Sequence, residues 1–540
     1  MNLKKSFLFT VSAAVLTGCA SPLSKIASVP FETTPSGLPR ATEKYTDDQL
    51  KTWPHQNLNT FPGIDLGGAY ELLKNIKPSS KVIVGVIDSG IDIHHEDLKN
   101  VVWTNPKEIP NNNIDDDNNG YVDDIHGWNF LGDINQENME MTRIYKSKDT
   151  SNPDYEKAKN AFEKEYEKTL AEKNYFDKLY ELLLTADDIL KNELKKDKYT
   201  AADLAKIQTN DPMLVQYVDF LNQLLARVDN SETLKEELKD AVNYYTSKLN
   251  YHLNLEFNPR KDILKDDEND FSKTQYGNNN VVGPVLEESL HGTHVAGIIG
   301  AQRDNNIGMN GVANHIAIMA LRAVPDGDEY DKDIALAIRY AADNGAKVIN
   351  TSFGKGYSPH KDKVYEAIKY AASKDVLIVN AAGNDSQDLD VKPSFPNDEI
   401  NGKEFTDNFL TVGALNFQFN ENLVADFSNY GKRNVDVFAP GVKIWATAPA
   451  SAYKFLQGTS MASPEVAGLA ALIRSYFPNL TAAQVKKVIM QSGIKPNLKV
   501  YVGEDETKKK VDFSELSTAG VIVNARNAVI LAAKMAKAKK

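Results

Sequence analysis

Val82-Ile83-Val84-Gly85-Val86-Ile87-Asp88 decides the fold. Every residue before Asp88 except Gly85 is β-branched, and none is polar. So short a run of residues stiff at χ1 reads as a strand buried on both faces, as parallel sheets require. Asp88 then sets a carboxylate at the strand's C-terminal end, where open α/β sheets carry their active groups. Working outward, similar runs fall at 316–323, 348–351, 376–380, 409–412 and 435–438. The apolar spacing predicts helices over 333–344 and 361–374. This alternation predicts an α/β fold, a parallel sheet with helices on both faces. No repeat of solenoid type is present.

Between residues 131 and 280 the texture changes. Nearly half of residues 154–200 are charged, against 25% of the whole chain. Tyr155, Ala158, Phe162, Tyr166 and Leu170, then Phe176, Leu179 and Leu183, form a stripe spaced by threes and fours. That is a helix with one apolar face, and its charges read as a solvated surface. Further helical stretches follow near 201–229 and 231–254. The expectation is an inserted subdomain of about three helices, whose role the sequence leaves open.

The 540 residues carry a net charge of −12, which argues against a nucleic-acid partner, since phosphate binding needs a basic face. A single cysteine excludes an intrachain disulfide framework and a cysteine-rich zinc module. That cysteine, Cys19, ends a segment with Lys4 and Lys5, an apolar run at 7–16, and Leu16-Thr17-Gly18. The apolar run is too short to span a bilayer and has the shape of an export signal. The segment resembles a bacterial lipoprotein signal, which implies lipidation of Cys19 and anchorage to a membrane of the cell envelope. Residues 1–18 are then the signal, and the Pro-, Ser- and Thr-rich stretch 19–61 a tether. The α/β domain occupies 62–130 and 281–540, with the helical insert at 131–280.

Four motifs carry the chemistry. Asp88-Ser89-Gly90 ends the first strand. His291-Gly292-Thr293-His294-Val295-Ala296-Gly297 opens an apolar helix. Asn380-Ala381-Ala382-Gly383-Asn384 ends another strand, and Gly458-Thr459-Ser460-Met461-Ala462-Ser463-Pro464 opens another helix. Taken singly, a carboxylate after a strand or a serine after Gly-Thr is a helix cap. Together they supply a nucleophile, a base, an orienting carboxylate and an amide donor, which is what acyl transfer needs.

These segments resemble the subtilisin-like serine proteases (subtilases), and the order Asp, His, Ser is that family's. The resemblance covers 62–130 and 281–535. It implies a subtilisin-like sheet and a lipid-anchored serine endopeptidase acting on polypeptides through an acyl-enzyme. Asp88 would orient the imidazole, His291 would act as base and acid, and Ser460 would attack. Asn384 and the Ser460 N–H would form the oxyanion hole. Ser352, Phe353 and Gly354, with Ala381, Ala382 and Gly383, would line the first specificity pocket. His294 would be structural; the HxxH pair lacks the Glu a zincin requires. The strand ending at Val324 would be an edge beside which substrate is laid, with Asp326 and Asp328 favouring Lys or Arg upstream of the cleaved bond.

Two departures stand out. Asp88 and His291 are 203 residues apart because the insert lies between them, and only about 40 residues separate Cys19 from the domain, too few for a globular inhibitory propeptide. An alternative to the enzyme is a non-catalytic adaptor lipoprotein presenting the insert to a partner; all four catalytic positions being intact argues against it. The sequence does not disclose the oligomeric state.

No organic cofactor is implied, but calcium is. Asp115, Asp117 and Asn119 alternate ahead of Gly120, a pattern of oxygen ligands followed by a sharp turn. His126 stands where an EF-hand has its bidentate Glu, and Asp123 or Asp124 would have to replace it. The competing reading is a solvated Asp/Asn turn. A second candidate pairs Asp97 with the loop at Asn305, which resembles the family's calcium loop.

Overall fold

The computed structural model describes residues 22–34 and 44–538. Seven strands form the main sheet: β1 (Val82–Asp88), β2 (Gly127–Asn129), β3 (Ile316–Arg322), β4 (Val348–Thr351), β5 (Leu377–Ala381), β6 (Phe409–Leu415) and β7 (Val437–Pro440). Their spatial order is β2-β3-β1-β4-β5-β6-β7, all parallel. Asp88 is in register with Arg322, so β1 and β3 end together.

The side chains of β1 alternate between two cores, as the two-residue period of a strand requires. Val82, Val84 and Val86 face a core shared with the helices Leu290–Gly300 and Thr459–Tyr476. Ile87 faces the opposite core, beneath the helices Asp331–Asp343 and Lys361–Ser373. The layered α/β prediction therefore holds, with strand ends shifted by up to three residues.

Nothing in the residue pattern announces β2. Gly127 sits at φ +126°, and a Cβ there would lie 1.9 Å from the Ala320 carbonyl oxygen. A three-residue strand entered through such a glycine has neither the length nor the period to be read beforehand. Its presence corrects one expectation. β2 pairs with Ala320, Leu321 and Arg322, so the end of β3 is not a sheet edge.

The stretch expected to be a tether is docked where it is described. Ile26 and Trp53 are buried, and the Trp53 indole N–H lies 3.1 Å from the Val442 carbonyl. The Lys495 N–H donates to Thr33 O at 2.6 Å. Sparse apolar residues set this segment's texture, but each that occurs here finds a site on the body. Residues 1–18 and Cys19 lie outside the described residues. Among the described residues, no helix is long and apolar enough to cross a membrane.

The stretch from 131 to 280 carries several helices. Its main helix, Tyr155–Leu194, is 40 residues long. Pro212–Leu225 begins with Pro at its first turn and an Asp211 cap, and Ser231–Ser247 is capped by Asn230 Oδ1, which accepts from Glu232 N and Thr233 N at 3.1 Å. Leu183, Leu190, Leu221, Leu225, Leu234 and Leu238 give it a small core of its own. At its root, Arg260 donates to both oxygens of Asp333 at 2.8–2.9 Å and to Asp266, while Lys332 donates to Asp266 at 2.9 Å, all of them buried.

Candidate active site

Asp88 is the last residue of β1 and is buried. Its Oδ1 lies 2.7 Å from His291 Nδ1 and accepts from the Ser89 N–H at 2.8 Å; its Oδ2 is buried without a partner. His291 stands in the first turn of Leu290–Gly300. That helix reaches Asp88 because Gly292 follows: a Cβ there would lie 2.2 Å from the Gly90 carbonyl oxygen. Burial pulls the His291 pKa down, but the charge and hydrogen bond of Asp88 more than reverse this, leaving it above its ordinary value.

Ser460 opens Thr459–Tyr476. Its hydroxyl donates to Ser352 O at 3.1 Å, and the Ser352 hydroxyl donates back to Ser460 O at 2.9 Å. The serine thus rests against β4's extension; reacting requires its hydroxyl to turn onto His291 Nε2, a tightening common when substrate arrives.

Asn384 is fixed by Thr459, to which the motif itself assigned no role. Its Oδ1 accepts from Thr459 N at 2.9 Å and from Thr459 Oγ1 at 3.0 Å, and Thr459 Oγ1 accepts from Gly383 N at 3.0 Å. With Oδ1 so engaged, Nδ2 remains as a donor. Gly458 has φ +151°, and a Cβ on it would lie 3.5 Å from Asn384 Nδ2 and 3.6 Å from Ser460 N. Two donors therefore converge on one small space beside the serine, the arrangement an oxyanion needs. Gly383, at φ +100°, would bring a Cβ to 2.5 Å from Asn429 Nδ2. Asn429, which also donates to Ala382 O and accepts from Asp385 N and Gln387 N, holds this loop and carried no sequence signal.

A cleft of about 450 Å³ opens at Asp88 and His291, bordered by Ser352, Val324, Asp326, Glu288 and Asn135. Ser352, Phe353 and Gly354 follow directly on β4, and Ala381 ends the neighbouring β5, with Ala382 just beyond it. Of the two acids expected on the rim, only Asp326 is there, its carboxylate 3.1 Å from His252 Nε2. Asp328 is a correction: its carboxylate turns inward and accepts from the Glu140 N–H at 2.7 Å.

His294 is fully buried. Its Nε2 lies 3.1 Å from Lys454 O, and burial lowers its pKa to about 4, so it stays neutral.

Among the described residues, Asp115 and Asp117 gather with Glu108, with a carboxylate oxygen of each within 4.8 Å of the others. Glu108 was missed in the sequence; its Oε2 is buried and unpartnered. Asn119 belongs to the same turn, its N–H donating to Asp115 Oδ1 at 3.0 Å and to Asp117 Oδ1 at 3.1 Å, whereas Asp124 is outside the carboxylate group. Asp124 accepts from Asn105 Nδ2 at 2.8 Å, from Asn119 Nδ2 at 2.9 Å, and from the Tyr340 hydroxyl, so its oxygens are spent. The fold does bring Asp97 to Asn305, whose amide donates to it at 2.6 Å, and Met309 N donates to its other oxygen at 3.1 Å.

An acid and a histidine in contact, with a serine on a neighbouring helix start, are thus carried on one strand end and two helix starts of an α/β protein. A Subtilase family profile matches residues 79–517, and the chain belongs to that family. It is 41% identical over 211 residues to the thermophilic serine proteinase of Bacillus sp. (strain AK1), covering 39% of this chain and 48% of that protein. It is 36% identical over 211 residues to the cell wall-associated protease of Bacillus subtilis (strain 168), 38% of this chain and 22% of that one. To subtilisin DY of Bacillus licheniformis it is 35% identical over 215 residues, 40% of this chain and 74% of that one. The chain thus spans half or less of the first two relatives.

Proposed function

We propose that this chain is a serine endopeptidase that hydrolyses peptide bonds of polypeptides through an acyl-enzyme. The observation that carries the reading is the convergence of Asn384 Nδ2 and Ser460 N on the Gly458 space, beside a base held by Asp88 at 2.7 Å. In this mechanism Ser460 Oγ attacks the carbonyl carbon and its proton passes to His291 Nε2. The oxyanion takes hydrogen bonds from the two donors. His291 then protonates the leaving amine, whose loss gives the ester to Ser460. Water, deprotonated by the same imidazole, releases the acid. Asp88 fixes the tautomer with the proton on Nδ1 and stabilises the imidazolium.

Export and lipid anchorage through Cys19 belong to the same proposal and rest on the sequence of residues 1–19. Cys19→Ser is expected to free the protein from the membrane fraction with its activity unchanged.

Glu108, Asp115 and Asp117 offer hard oxygen donors around a turn closed by Gly120, a donor set that suits calcium. Asp97, with the Asn305 loop, is the second candidate. Calcium there would clamp loops on either side of β1 and has no part in the bond-breaking steps.

The test is turnover of an unstructured protein substrate by wild type and Ser460→Ala. Cleavage by the first alone is expected; near-normal cleavage by a clean Ser460→Ala preparation would refute the reading.

A further inference from the structure

Two stretches of backbone run away from the catalytic groups and flank the cleft. One starts at Ser352, whose carbonyl holds the Ser460 hydroxyl, and reaches Lys355 three residues later. The other starts where Ala323 N and Val324 N bond to Asp88 O, and continues to Glu329. The acyl part of a substrate lies along the first, since it is bound to Ser460 while the amine departs toward His291.

Beyond Gly354 and Gly327 the two stretches are joined to each other and to the insert. The Lys355 ammonium donates to Glu329 O at 2.7 Å, crossing between them, and to Glu140 Oε2 of the insert at 2.7 Å. Arg143 of the insert donates to the same carboxylate at 2.6 Å, to Asp328 O at 2.8 Å and to Glu329 O at 3.1 Å. Lys355, Glu140 and Arg143 are each about 95% buried. Asp326 N donates to Asn135 O and Glu137 N to Asp326 O, both at 2.8 Å, so an isolated parallel bridge at Gln136 and Asp326 also ties the insert to the second stretch. Past Lys355, Lys157 covers the Tyr357 ring at 4.8 Å. Both stretches are thus tied to the insert.

From these contacts we propose that the insert closes the acyl-side end of the cleft, leaving room for about three residues before the cleaved bond and directing cleavage to bonds near a free amino terminus. The proposal rests on the peptidase reading above. The length follows from the first stretch: an extended chain advances at most about 3.3–3.6 Å per residue, and a substrate strand alongside keeps that pitch. The chemistry at the closed end agrees. Glu137 and Glu329 each keep a carboxylate oxygen buried with no hydrogen-bond partner, while Arg143 and Lys355 spend donors on the Glu329 backbone carbonyl instead. Buried acceptors left unpaired are costly, and an α-ammonium carries three donors. Burial pushes the Glu137 carboxyl up to about 7, a sign that the existing cations do not fully compensate it.

The experiment is a ladder of fluorogenic peptides with two, three, four or six residues ahead of the cleaved bond, each with a free or an acetylated amino terminus. The expected result is a maximum kcat/KM at about three residues with a free terminus. It should fall at least tenfold on acetylation or on lengthening to six. Glu140→Gln, which keeps the side-chain size and weakens the bridge, should narrow that difference. If wild type reacts with a fluorophosphonate at Ser460 yet cleaves faster as the peptide lengthens, indifferent to acetylation, the closed end is refuted and the peptidase reading stands. If it neither reacts nor cleaves any peptide, the peptidase reading fails and this inference with it. The ladder on wild type decides even if Glu140→Gln does not fold.

Discussion

The sheet and the insert's root bury charge in opposite ways. In the sheet, charge is sparse and sits at strand ends: Asp88 has one oxygen on His291 and the other unpartnered. At the root, charges come in saturated groups, with Arg260 shared between Asp266 and Asp333, and Arg143 with Lys355 around Glu140. The first arrangement leaves groups free to react. The second joins chain segments that lie 73 residues apart, as with Arg260 and Asp333, and 215 apart, as with Lys355 and Glu140. One region shows how a fold keeps chemistry available, the other how an insertion is fixed rigidly beside it.

That contrast makes unequal predictions. Ser460→Ala should leave the melting temperature nearly unchanged while lowering kcat by about 10⁶, the loss known for the matching change in subtilisin itself. Arg260→Met should do the reverse. It strands Asp333 and part of Asp266 in the interior and should cost about 3–5 kcal/mol of stability by denaturant titration. Asn384→Ala falls between, with about a 10²–10³-fold loss of kcat, a figure again taken from subtilisin, and an intact fold. A large loss of stability in Ser460→Ala, or a negligible one in Arg260→Met, would break the comparison.

Two smaller effects sharpen it. The folded pKa of His291 lies above 6.5, raised by Asp88, and the reaction needs the neutral ring. The kcat/KM should therefore rise with pH through that raised value and stay low at pH values below it. The sign for stability is opposite: the imidazolium–Asp88 pair stabilises below the unfolded pKa, and this is lost as pH rises through the folded one. Chelation of a bound ion should lower stability by about 2.7 kcal/mol where calcium had been a hundredfold above its Kd. Asp115→Ala with Asp117→Ala should remove part of that response in a thermal melt.

What the sequence disclosed follows the same division. The β1 run carried its own burial pattern, and each of the four motifs kept its residues within seven positions, so fold and catalytic groups were legible. Local spacing carries that information. Thr459, Asn429 and Glu108 act through partners distant in the chain or through a turn's exact path, and single polar residues have no period to betray them. Lys355 looked like an ordinary lysine; only the fold sets it beside Glu140. Asp328 looked like a rim acid, and the segment from Asn135 to Glu140 turned it inward. Helices of the insert were legible, but their attachment to the cleft was not, because it is made by ion pairs rather than by an apolar stripe.

The central claim is that Ser460, activated by His291, is the nucleophile. The most direct measurement is to treat the folded protein with a fluorophosphonate and locate the adduct by peptide mass. The account predicts a single stoichiometric adduct on Ser460, absent when His291 is changed to Ala. A folded protein that takes up no label, or labels elsewhere, or labels Ser460 equally well without His291, would contradict it.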